Sequence, residues 1–183
     1  MVTLQIIAII STILCVVLTS RQSVICWPMG IVSVISLIGI YVLQGLYAQI
    51  ILQSVFFIQC VIGWYNWDKK DDLKVSKLEF GGFLNNLFLV LLIAILLADY
   101  NVSLNSSGWS TYIDYIAACL ALLGNWYLTK KIIQAWLLFM SYNVLLILIL
   151  MIKGIYPIAI MNAVLFFISL NGYRTWKKDL KTV

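Results

Sequence analysis

Histidine is absent from the 183 residues, and Asp, Glu, Lys and Arg together make up only 10% of them, where a soluble domain carries about 25%. Without histidine, and with four cysteines (Cys15, Cys26, Cys60 and Cys119) that form no CxxC pair, no metal centre or other cofactor site is expected, and the cysteines read as packing. There is no GxSxG or HExxH stretch and no close pair of carboxylates inside an apolar run. A membrane hydrolase or transferase therefore has no motif to support it, and no enzymatic activity is expected. The shortage of charge excludes an ordinary soluble fold. The first apolar run, Met1 to Ser20, also lacks the preceding basic residues of a signal peptide and is followed by Arg21, so it is expected to stay in the mature chain.

What is present is apolar sequence, 63% of the chain, in runs of about 20 residues, each long enough to cross a hydrocarbon core. The runs predict spans near residues 2–20, 24–43, 46–67, 81–99, 111–129, 133–152 and 155–176, an all-α integral membrane protein of one domain over 1–183. With strict alternation of sides, eleven basic residues share one face: Arg21, Lys69, Lys70, Lys74, Lys77, Lys130, Lys131, Arg174, Lys177, Lys178 and Lys181. Lys153 alone lies opposite, which predicts an external N-terminus and a cytoplasmic C-terminus. The net charge of +5 thus reports orientation; the basic residues sit in short connections between apolar runs, so nucleic acid is not an expected partner.

Residues 27–67 match residues 136–176 without a gap at an offset of 109: Trp27 with Trp136, Gly45 with Gly154, Tyr47 with Tyr156, Gly63 with Gly172 and Trp67 with Trp176. Leucine matches would mean little in such a composition, but Trp, Gly and Tyr in register are informative. The implied plan is three, one, three: a first triplet over 1–67, a linking helix over 81–99 and a second triplet over 110–176. The odd number of spans in each unit makes this a parallel repeat about an axis along the membrane normal, with the sugar-transporting SWEET proteins as the nearest architectural analogue.

Polar groups inside a bilayer are costly unless they are paired or line a wet cavity. On the third span, Gln53, Phe57, Cys60, Trp64 and Trp67 recur at helical spacing; on the seventh, Asn162, Phe166, Ser169, Tyr173 and Trp176 repeat the pattern. Two such faces would enclose a site for a polar aromatic solute, with Gln53, Asn143 and Asn162 as amide ligands and Trp64, Trp67, Tyr173 and Trp176 as stacking rings. Gln59, Asp114, Trp136 and Asn171 are further candidates, Trp27 and Trp136 being readable as interfacial belt or as gate. The competing reading is interhelical glue in a scaffold that carries nothing, since amide bonds between spans average about 0.6 kcal/mol and are common.

The stretches Trp27-Pro28-Met29-Gly30, Gly45-Leu46-Tyr47-Ala48, Leu52-Gln53 and Gly63-Trp64-Tyr65-Asn66-Trp67 resemble PnuC-type vitamin transporters. So do Ala135-Trp136-Leu137-Leu138, Asn143-Val144, Lys153-Gly154-Ile155-Tyr156 and Asn171-Gly172-Tyr173-Arg174-Thr175-Trp176. The resemblance implies a facilitator of a bacterial inner membrane carrying nicotinamide riboside, or thiamine as in a related branch, with a cytoplasmic kinase trapping the vitamin. The family's WxxW element falls on Trp64 and Trp67 and becomes Tyr173 and Trp176 in the second half. An acidic position of the first span is Gln5 here, while Asp114 keeps it in the fifth. The resemblance leaves the choice between monomer and homo-oligomer open.

Overall fold

The computed structural model describes residues 2–44, 47–69, 73–105, 109–152 and 154–180. It contains seven helices: α1 (Val2–Ser20), α2 (Cys26–Gln44), α3 (Tyr47–Lys69), α4 (Phe80–Asn105), α5 (Ser110–Thr129), α6 (Gln134–Ile152) and α7 (Tyr156–Asp179). All but α5 are long and apolar enough to cross a membrane by themselves. Helix α5 is interrupted by Ser110, Thr111, Asp114 and Asn125, and it compensates by packing against α3, α4 and α6. Helix α4 runs six residues beyond its expected end.

Helices α1, α2 and α3 pack in succession, as do α5, α6 and α7, and the two groups meet along α1–α7 and α3–α5. The connections explain where the helices stop. After α1, Gln22 adopts a left-handed φ of 54°, Ser23 N donates to Leu18 O at 3.0 Å and Gln22 N to Thr19 O at 3.0 Å. After α5, Lys131 (φ 51°) does the same: Ile132 N donates to Tyr127 O at 2.9 Å and Lys131 N to Leu128 O at 3.0 Å. Both are Schellman-type stops in which a side-chain-bearing residue takes the place usually given to glycine. Between α6 and α7 that place is filled by Gly154, with φ 72°. The matching Gly45 turn and Lys153 lie outside the described residues.

The α3–α4 connection, expected to be an irregular loop, is pinned to the α5–α6 turn. Ser76 N donates to Lys131 O at 3.0 Å, and Ile133 N donates to Ser76 O at 2.9 Å. The buried Gln134 side chain brackets Leu78, donating to its carbonyl at 2.8 Å and accepting from its N–H at 3.2 Å. These bonds satisfy backbone groups that a buried segment would otherwise leave orphaned.

A cluster of buried residues that includes four tryptophans lies at the end where the basic residues gather. Trp27 meets Trp67 edge to face, with centroids 5.3 Å apart and planes at 89°, and Trp136 meets Trp176 at 5.4 Å and 89°. Trp67 and Trp176 then touch each other at 6.0 Å, closing a layer of four indoles. Gly63 and Gly172 make it possible, since a Cβ on either would collide with the Trp27 or Trp136 ring respectively.

Candidate functional site

Above the indole layer lies a cavity of about 420 Å³ enclosed by α1, α2, α3, α5, α6 and α7. Trp27 and Trp136 form part of its wall, and Gln53, Cys60, Asn162 and Ser169 enter at positions related by the offset of 109. Thr12, Tyr41, Asn125, Tyr142 and Asn143 supply further polar groups, and none of the described lining residues is charged.

Three buried polar atoms on this wall have no partner among the described residues: the indole nitrogens of Trp27 and Trp136 and Oδ1 of Asn143. Asn143 Nδ2 is committed to Phe139 O at 2.8 Å, one turn back on its own helix, which leaves the carbonyl end of the amide free. Asn162 Nδ2 donates in the same way to Ile158 O at 2.8 Å, and Ser169 Oγ to Leu165 O at 2.8 Å. Unpaired donors and acceptors cost about 1–3 kcal/mol each when buried; these three atoms belong to wall residues but are covered from the cavity, so a solute reaches them only when the side chains shift.

The sequence-predicted residues separate into groups. Gln53, Asn143, Asn162 and Trp136 come together on the cavity wall. Trp67 and Trp176 are buried one layer behind it, packed on Trp27 and Trp136. Tyr173 is half-buried against the same cluster. Trp64, 42% exposed, lies on the outside of α3, and Asn171 and Asp114 are exposed on α7 and α5. Gln59 is interhelical glue: it accepts from Asn125 Nδ2 at 2.9 Å and donates to Leu122 O at 3.2 Å, tying α3 to α5.

That tie also positions Asn125, a wall residue that sequence reasoning missed; the asparagine in the middle of an apolar run was the available signal. Trp27 was equally readable as belt, and the structure buries it to 2% exposure on the cavity wall. The inward stripe of α3 is Gln53, Phe56, Cys60, Gly63 and Trp67, with Phe56 and Gly63 where Phe57 and Trp64 were expected. On α7 it is Asn162, Leu165, Ser169, Gly172 and Trp176, the same shift.

On the far side of the indole layer Lys131 Nζ sits 4.8 Å from the Trp67 ring centroid. Partial burial holds this ammonium below the usual lysine range, the nearby Cys26 opposing the shift. The cavity is thus separated from the basic end by four rings and a cation.

The fold and the cavity define a multi-pass helical membrane protein built around a central small-molecule chamber. The family model described as nicotinamide mononucleotide transporter matches residues 2–178, and the chain belongs to that family. The nicotinamide riboside transporter PnuC of Escherichia coli (strain K12) is 24% identical over 197 aligned residues, covering 91% of this chain and 82% of that protein; its Shigella flexneri counterpart gives the same figures. The crystal structure of the vitamin B3 transporter PnuC superposes with a TM-score of 0.75 at 19% identity, over 98% of this chain and 82% of that one, and so shares its fold.

Proposed function

We propose that the protein carries nicotinamide riboside across the membrane by facilitated diffusion. The observation behind this reading is the cavity wall, which has no charged side chain among the described residues yet combines the amides of Gln53, Asn125, Asn143 and Asn162 with the rings of Trp27, Phe56, Trp136, Phe139 and Tyr142. A mononucleotide would bring a phosphate of about −1.5 to −2 charge, and with no Lys or Arg on the wall that charge would stay uncompensated. The riboside lacks it. Its pyridinium suits the ring faces of Phe139 and Tyr142, and its carboxamide and ribose hydroxyls suit the amides of Asn143, Asn162 and Gln53.

The architecture proposed is seven spans as two parallel triplets, α1–α3 and α5–α7, linked by α4, in the SWEET-like plan. Its support is that the turns at Gln22 and Lys131, the indole pairs and the glycine contacts all recur at the offset of 109. The bacterial relatives support a place in the inner membrane, and the segregation of basic residues supports an N-terminus outside. Transport then proceeds by alternating access of the triplets. The indole layer, with Trp67 and Trp176 behind Trp27 and Trp136, closes the cavity towards the basic end, which is the cytoplasmic side in this reading. An inside-negative potential favours entry of a cation by about 2.3 kcal/mol per 100 mV, so no coupled ion is needed, and phosphorylation by a cytoplasmic kinase would hold the product inside.

Thermal-shift and calorimetric titration of detergent-purified protein with nicotinamide riboside, its mononucleotide and thiamine tests the substrate. The riboside is expected to stabilise the protein and the mononucleotide to leave it unchanged. Stabilisation by thiamine alone would move the assignment to that vitamin, and uptake into kinase-free proteoliposomes that required an ion gradient would end the facilitator reading.

A further inference from the structure

The two seams between the helix groups differ at the basic end in where their charges sit. On α3–α5 Lys130 Nζ lies 4.6 Å from the Trp126 centroid and Lys69 Nζ 4.7 Å from that of Tyr65; on α7 Lys177 Nζ lies farther, 6.0 Å, from that of Tyr173. At the offset of 109, the α1–α7 seam has Arg21 in place of Lys130, Arg174 in place of Tyr65 and Lys177 in place of Asp68. A ring and a carboxylate have become two cations, while Lys131 and Lys70 have become Gln22 and Asp179, which hydrogen-bond to each other; neither Arg21 nor Arg174 has a side-chain partner among the described residues.

These cations border a groove. Between α1 and α7 an outward-facing cleft of about 370 Å³ is walled by Val17, Val164, Phe167 and Ile168 and ends on Arg21 and Asn171. Asn171 also lines a second, polar hollow of about 410 Å³ that contains Arg174 and Lys177. Phe167 is 66% exposed and Val164 47%, so the apolar part faces hydrocarbon and the basic part lies where the helices leave it.

We propose that this seam binds one anionic phospholipid, an acyl chain lying along Val164 and Phe167 and the headgroup phosphate held by Arg21, Arg174 and Lys177 with the Asn171 amide beside them. Chemistry selects the occupant: a free phosphate would use only the cations and a zwitterionic lipid only the apolar cleft, whereas an anionic lipid matches both. The Trp176–Thr19 hydrogen bond joins the same two helices, so a lipid wedged here braces one of the two lines along which the groups meet. Which leaflet supplies it rests on the orientation proposed above; the binding itself does not.

The test uses full-length, delipidated protein in detergent, followed by native mass spectrometry and thermal unfolding with phosphatidylglycerol, phosphatidylcholine of the same acyl chains, or inorganic phosphate. Phosphatidylglycerol is expected to remain as a one-to-one adduct and to raise the unfolding temperature, while the other two do neither. The Arg21→Gln/Arg174→Gln pair should weaken retention by about tenfold or more, and Lys130→Gln by no more than about twofold. Should the double variant fail to fold, Arg174→Gln alone is expected to lose about fivefold. Equal stabilisation by phosphatidylcholine would reduce the groove to annular lipid, equal stabilisation by phosphate would reduce it to an anion patch, and full retention by the arginine variants would overturn the site. Riboside binding measured on the same samples keeps failure of this proposal separate from failure of the transport reading.

Discussion

The indole N–H of Trp67 donates to the carbonyl oxygen of Leu128 at 2.9 Å, so a ring at the end of α3 caps the last turn of α5. The relation recurs at the offset of 109, where Trp176 of α7 donates to Thr19 of α1 at 3.2 Å. Each helix group thereby satisfies a helix-end carbonyl of the other, and the same carbonyls receive Lys131 N and Gln22 N. Trp67→Phe and Trp176→Phe keep a ring in the layer but remove the donor. Each is expected to lower stability by about 1 kcal/mol, and the two by similar amounts, as measured by thermal unfolding in detergent. A large effect at one site and none at the other would show that the two seams are not equivalent.

Gly63 and Gly172 test the layer from the opposite direction. Alanine at either collides with the indole of Trp27 or Trp136, so Gly63→Ala and Gly172→Ala should each cost about 1–3 kcal/mol. Gly81→Ala in α4 meets open space and should stabilise by about 0.5–1 kcal/mol through helix propensity alone. Adding Trp27→Phe to Gly63→Ala frees the space and should recover part of the loss, a coupling that a double-mutant cycle measures.

These glycines also show where the sequence stopped being informative. The helix count and most boundaries were legible because span length carries them. The inward stripe of α3 was not, since 53-57-60-64-67 and 53-56-60-63-67 both follow helical spacing and both contain aromatics. A search for stacking rings selects the first. The structure takes the second, because turning Gly63 inward lets Trp27 lie flat against the backbone, a contact made with the second helix that no local pattern records. Gln53, Asn143 and Asn162 were visible because an amide in an apolar run has few cheap places to go; Asn125 and Trp27 needed the packing partners Gln59 and Trp67 to be seen as wall residues.

Trp64→Ala should therefore leave riboside affinity within about twofold of the parent, because its ring is 42% exposed and outside the cavity. Trp136→Phe shrinks a ring that forms part of the wall and should weaken binding by about tenfold, or 1.4 kcal/mol. Isothermal titration of both variants compares them directly, and a larger loss for Trp64→Ala would return the stacking role to the outer ring.

Asn143 separates a substrate ligand from interhelical glue. Its Nδ2 bond runs to its own helix and its Oδ1 is unpaired, so without substrate the side chain joins no two helices among the described residues. Asn143→Leu, of similar size, removes a buried acceptor that has no protein partner; the apo protein should keep its stability or gain up to about 1 kcal/mol. Riboside binding should fall by tenfold or more, since the substrate loses the acceptor for its amide or hydroxyl donors. Glue predicts the reverse, a less stable apo protein with little change in affinity for whatever molecules that still fold. Measuring the unfolding temperature without ligand and the calorimetric affinity on one preparation decides between them. A destabilised variant with parental affinity would remove Asn143 from the site.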